Sequence, residues 1–450
     1  MVRATGRALK RRTGCFGTGR CAGGGGAALL ACLLSLPTGA VPLPYQSHDQ
    51  HLGVASCASS LCHGSVTPNS NYKVPLNEYV TWSHQDAHAK AFQALTSERG
   101  RSIAAKLGLP SAEGAKVCLD CHSDNVAAAE RGPKFALSDG VGCEACHGGA
   151  ERWIASHATG KSNYRDDVAK GLYPSADLAD RAHLCEACHV GNADKLATHN
   201  IMGAGHPRLS FELDTYLALE PPHYTIDENY RRRKPTFSHA QSWAEGQMQA
   251  SLLQLELLRG PVFRGGGVFP ELALFNCSSC HDSSMQRPEW RRRAMTQLDS
   301  PGTVPLNDAY WRTSWLIERA IDPSRGDAIL TQAQALQRTV TTSQAQVEAQ
   351  AGELAGTLRG VEQRTANQVW SATQSSNVLE SLMQAGLDGE FRDYLGAEQA
   401  VMAIELLLID RNQTARLRPQ LDALYRLVKD VDAYRSADFV AGLKALRAAM

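Results

Sequence analysis

The chain has 450 residues, 43% hydrophobic and 20% charged, with 46 basic residues against 46 acidic ones. These proportions are globular and exclude wholesale disorder or collagen-like repeats, and the balanced charge gives no overall attraction to nucleic acid. Aromatic residues make up only 6%, while 13 Cys and 15 His are many, so the unusual chemistry of this chain lies in sulfur and imidazole.

Residues 1–40 carry Arg3, Arg7, Lys10, Arg11, Arg12 and Arg20, then an apolar run from Ala27 to Leu36, then Thr38, Gly39 and Ala40. This three-part pattern predicts a secretory signal cleaved after Ala40, hence a periplasmic or otherwise exported protein. A retained anchor is disfavoured because a span needs about 20 apolar residues. A lipidated Cys32 is disfavoured because Leu30 stands where a small residue is usual. No later run is long and apolar enough to predict a transmembrane helix in the mature chain.

Beyond residue 40 ten cysteines remain, and all fall in five pairs, each followed at once by histidine. In chain order these are Cys57 and Cys62 before His63, Cys118 and Cys121 before His122, Cys143 and Cys146 before His147, Cys185 and Cys188 before His189, and Cys277 and Cys280 before His281. Two cysteines three apart with histidine next is the signature of covalent c-type haem attachment. On one helical turn, positions i, i+3 and i+4 share a face, so two thiols can take the vinyl groups while the imidazole is aimed at the iron. The first motif is two residues longer, and its extra residues must loop out. Disulfide and zinc readings leave the five adjacent histidines unexplained. The expected cofactor is therefore haem c, five copies, with His63, His122, His147, His189 and His281 as proximal ligands.

Ten further histidines all precede residue 240. Asn77 to Leu95 predicts a helix capped by Asn77, with His84, His88, Phe92 and Leu95 on one face. His157 precedes a helix-ending Gly160, and His206 follows Gly203 and Gly205, which let a loop approach a macrocycle closely. His88, His157 and His206 are the expected distal ligands, ahead of His84 and His239 and then the others. Trp82, Trp153 and Trp243 are candidate haem neighbours. Arg231–Lys234 and Arg291–Arg293 are basic clusters suited to haem propionates or to an acidic partner.

After His281 no Cys or His remains. Ser300-Pro301-Gly302 reads as a linker. Beyond it Ile329, Ala333, Leu336, Val340, Val347, Leu354 and Leu358 recur at mostly helical spacing. Further helices are expected over Val361–Ala385 and Ala397–Ile409, with Pro419 near a helix start and Ser436 as a cap. The expected organisation is a signal at 1–40, a pentahaem cytochrome c domain at 41–300 and a helical C-terminal domain at 301–450. The last is a bundle or hairpin able to dock on the haem domain, a partner or a second copy.

Several of these segments resemble the multihaem cytochromes c of the cytochrome c-554 type, associated with hydroxylamine oxidoreductase. Asp86-Ala-His88-Ala-Lys90-Ala91 after Trp82 is similar to the segment that supplies a distal histidine in that family. Gly140-Val-Gly-Cys143-Glu-Ala-Cys146-His147-Gly148 with His157 downstream is similar to its third haem site, and Leu184-Cys185-Glu-Ala-Cys188-His189 to its fourth. The likeness covers roughly residues 50 to 195. The longer first motif, the fifth motif and the C-terminal region depart from it.

The resemblance implies a mostly α fold in which long loops wrap stacked haems, with little sheet and little conventional core. The function expected is relay of electrons between redox partner proteins, some of them membrane-associated, through mostly bis-His haems, with no nucleic-acid partner and with oligomers forming through the C-terminal helices. The competing reading is a multihaem oxidoreductase acting on a small nitrogen or sulfur compound at one open haem, with no catalytic residue assignable from sequence. In either case, a second imidazole in place of a thioether lowers the haem potential.

Overall fold

The computed structural model describes residues 41–450 other than 70, 71, 73, 265–269, 282–295, 299–303 and 366–368. The expected signal at 1–40, the linker turn at Pro301-Gly302 and the cluster Arg291–Arg293 lie outside the described residues.

Residues from Val41 onward form one compact unit. The fold is mostly α. Among the described residues the only β pairing is two isolated bridges, His51 with Arg131 and Phe275 with Leu306. Up to about residue 235 the chain makes short helices joined by long loops, with only small apolar clusters such as Leu95, Ala104, Ala112 and Leu119. The low aromatic content fits that thin core.

The longer helices are α1 (Leu178–His189), α2 (His239–Arg259), α3 (Ala309–Ile321), α4 (Pro323–Thr339), α5 (Gln344–Thr365), α6 (Ala372–Leu387), α7 (Tyr394–Asp410), α8 (Thr414–Leu427) and α9 (Ser436–Ala449). Helix α2 starts with a capping box in which Ser238 accepts from the Gln241 amide and Gln241 reaches back. It is buried on nearly every side and packs against α1, α3, α5 and α7 at once. One core runs from Ala240 through Trp311, Trp315 and Leu354 to Leu446. Within it Arg312, 1% exposed, pairs with Asp308 and Glu390, each at 2.6 Å.

The helix expected over Asn77–Leu95 is broken. It runs Glu78–Gln85, and Asp86 is extended at ψ 132°; a 3-10 turn follows at His88–Lys90 and a short helix at Ala91–Leu95. The Asp86 carboxylate accepts from the His88 amide at 2.9 Å, so a side chain has competed for the backbone. His84 and His88 therefore do not share a helix face. Asn77 stands at the cap position without a side-chain cap bond.

The apolar series from Ile329 is likewise two helices, α4 and α5. The Thr339 and Thr342 hydroxyls donate to carbonyls three residues back and help end α4. Pro419 lies inside α8, whose Leu417, Leu421 and Leu424 are fully buried, and Ser436 is the first residue of α9.

Candidate cofactor-binding site

Each cysteine motif folds on itself. Cys118–His122 and Cys143–His147 lie on short helices, and Cys185–His189 forms the end of α1. At the fifth motif the His281 amide donates to the Cys277 carbonyl at 2.8 Å. At the first, despite two more residues, the His63 amide donates to the Cys57 carbonyl at 3.2 Å while Ser59, Ser60 and Leu61 are exposed. The extra residues loop out, and the histidine returns to the first cysteine as it does in the shorter motif. None of the ten cysteines is joined to another in a disulfide.

Five histidine pairs then assemble. His63 faces His157 with ring centres 6.2 Å apart, His88 faces His189 at 6.0 Å, and His122 faces His206 at 6.3 Å. His147 faces His223 at 6.2 Å and His199 faces His281 at 6.0 Å. Every motif histidine thus opposes one histidine from a distant segment. Two imidazoles bound on opposite sides of one metal, with bonds of about 2 Å, have ring centres about 6 Å apart. The separations suit an interposed metal atom.

The outer partners set which nitrogen is free. His63 Nδ1 bonds Glu78 at 2.9 Å, His88 Nδ1 bonds Asp86 at 3.0 Å, and His157 Nδ1 bonds Asp167 at 3.2 Å. His122 and His206 donate from Nδ1 to the carbonyls of Ala91 and Pro207 at 3.0 and 2.7 Å. An Nδ1–H engaged this way leaves a lone pair on Nε2, the ligand arrangement for a metal. Burial pushes His147 down to about 3 and His189 down to about 4, reinforced by the facing imidazoles His223 and His88, so both stay neutral and able to ligate. Hydrogen bonds to Glu78 and Asp86 raise His63 and His88.

The thiols also meet across motifs. The Cys57 and Cys143 thiols lie close enough to shift one another's acidity, as do those of Cys121 and Cys188. Cys146 lies within electrostatic reach of Cys185 and Cys188. The first four motifs are therefore neighbours in the order first, third, fourth, second.

Of the ten motif cysteines Cys280 is exposed and the other nine, Cys62 among them, are half-buried. Cys280 follows the 3-10 turn Cys277–Ser279, where the second, third and fourth motifs have an α-helical turn.

A pocket reaches from His189 to Cys277, lined also by Met202, Arg208, Tyr310 and Gln399. Arg208 gives one guanidinium nitrogen to Glu398 at 3.2 Å, while its buried Nη1 has no hydrogen-bond partner. A carboxylate-bearing macrocycle attached at Cys277 fits that arrangement.

Of the residues singled out from sequence, the five motif histidines and His88, His157 and His206 all enter these pairs. His84 is exposed, and His239 Nδ1 bonds Asp214 at 2.7 Å; neither joins a pair. His48, His51 and His183 also stay outside them. His199 and His223, which no sequence pattern singles out, complete the set. His199 has one local sign, its place at the first turn of a helix capped by Thr198, and His223 has none. Trp153 meets the His157 ring edge-on at 5.5 Å, Trp82 donates to the Val141 carbonyl at 3.1 Å, and Trp243 belongs to the α2 core.

Residues 55–148 match the model of a family described as cytochrome c554 and c-prime. The matched stretch takes in the first three cysteine motifs and stops short of the fourth, where the expected likeness continued. No curated protein and no solved structure matches the chain.

Proposed function

We propose that this chain, whose residues 55–148 are of the cytochrome c554 type, is an exported pentahaem cytochrome c that relays electrons between redox proteins. Haems attach at the five cysteine pairs, and every iron is closed by two imidazoles: His63 with His157, His122 with His206, His147 with His223, His189 with His88, and His281 with His199. The observation carrying this reading is that all five motif histidines face one partner each at 6.0–6.3 Å.

The haem supplies one-electron chemistry; the chain supplies ligands, spacing and burial. Glu78, Asp86 and Asp167 orient the imidazoles and add electron density to them, which stabilises ferric iron. The thiol neighbours support a path from the first motif through the third and fourth to the second. The cavity from His189 to Cys277 supports a fifth haem beside the fourth, so the path branches there. Among the described residues no helix is long and apolar enough to cross a membrane.

Haem counting and electron paramagnetic resonance of the purified holoprotein test this. Five haems per chain and only low-spin ferric signals are expected. The ring planes sharpen the expectation. They lie within 17° and 33° for His63/His157 and His199/His281, and at 85–89° for the other three pairs. Perpendicular imidazoles leave the iron dπ orbitals nearly degenerate, so three signals should have a large maximal g value and two should be rhombic. Four haems per chain would remove the long motif of Cys57 and Cys62 from the set.

A further inference from the structure

The five facing histidines are not held alike. His157 and His88 are fixed through Nδ1 by Asp167 and Asp86, and His206 by the Pro207 carbonyl. His199 has no such ring bond, but its backbone amide donates to Glu271 at 2.7 Å in the first turn of its helix. His223 has neither. It lies in the irregular stretch between the helices Leu213–Leu219 and Glu228–Arg233, directly after Pro221 and Pro222, whose nitrogens donate nothing. Thr225, Ile226 and Asp227 beyond it are exposed, and among the described residues no hydrogen bond reaches its ring.

Its surroundings are aromatic and balanced in charge. Tyr224 meets His223 edge-on at 5.7 Å and stacks on Tyr230 at 5.5 Å. Lys234 lies over Tyr164 at 4.6 Å and over Tyr230 at 5.6 Å, and Arg181 bonds Tyr224. Against these cations stand Asp86, within electrostatic reach of His223, and Glu220, which clusters with Asp86 and His88. Such a setting gives no strong field favouring an anion or a cation.

We propose that His223 is a replaceable ligand, and that the haem attached at Cys143 and Cys146 is where a small uncharged molecule of diatomic size gains access to iron. This rests on the bis-His reading above. Exchange breaks one iron–nitrogen bond and forms one iron–ligand bond, with no electron gained or lost. The imidazole moves with its own loop and leaves α1, α2 and the other pairs in place. A ligand without an outer hydrogen bond gives up least on leaving.

Carbon monoxide added to the dithionite-reduced pentahaem protein is the probe. One haem in five is expected to bind it in the wild type, seen as a fractional change in the Soret band. In His223→Ala the count should stay at one, with binding at least about tenfold faster because the competing imidazole is gone. The resting ferric variant should show one high-spin haem. His223→Met, which keeps a sixth ligand, should instead convert one haem to an imidazole–thioether spectrum of higher potential. No binding to the wild type, or a count that rises to two in His223→Ala, would overturn the exchange site and leave the ligation standing. A His223→Ala protein that stays wholly low-spin would overturn both.

Discussion

Asp86 holds His88 twice, by the backbone amide at 2.9 Å and by Nδ1 at 3.0 Å, and His88 is the ring that faces His189. Asp86→Asn removes the charge and keeps the shape, so the imidazole becomes a weaker donor and ferrous iron gains. Under the proposed ligation the midpoint potential of that one haem should rise by tens of millivolts, where about 59 mV is a tenfold change for one electron. Redox titration followed optically checks this, and an unchanged potential would reduce Asp86 to a structural cap. At this scale the motif half of the site was legible and the facing half only partly so. Thioether attachment demands a fixed local spacing, which a sequence displays, although the exposure of Cys280 against the half-burial of the other nine is set by the surrounding chain. A facing imidazole needs only to arrive from elsewhere in the fold, so His223 carried no mark, while His84 had a helical context and ended in solvent.

Helix α2 shows the same division among elements. Its Ser238 cap and apolar content are local and readable, but its role as the hub of the C-terminal core depends on α3, α5 and α7, which arrive much later in the chain. It also buries Glu245, 5% exposed. Burial, with like charge from Glu362 and Asp177, pushes that carboxyl up to about 8. An unfolded glutamate ionises near pH 4.3, so between about pH 4.3 and the raised value the folded chain keeps a proton the unfolded chain has released. Stability should fall as pH rises through that window, by about 1.4 kcal/mol per pH unit for one proton. Glu245→Gln should flatten the slope by that amount, measured by urea unfolding across the range; an unaltered slope would place the proton elsewhere. The helix ends were the least readable feature, because Asp86, Thr339 and Thr342 end helices through side-chain hydrogen bonds that apolar spacing does not report.

Across the whole molecule, the C-terminal helices cover α2 and supply Tyr310, Leu395 and Gln399 to the cavity that reaches Cys277. A chain ended at residue 300 should therefore aggregate or lose the spectrum of the fifth haem; a soluble fragment with all five haems intact would assign those helices to docking alone. The facing pairs carry a further consequence, one of topology. His63 and His157 stand 94 positions apart, His122 and His206 84, His147 and His223 76, His88 and His189 101, and His199 and His281 82. These intervals interlock: each begins inside another or encloses another's start. If each pair closes on one iron, the metals act as five cross-links threaded through one another, and each removes about 4–5 kcal/mol of chain entropy from the unfolded state on the loop-closure estimate. No haem can then be excised with its own stretch of chain as a separate module, because every such stretch also holds an end of a neighbour's loop.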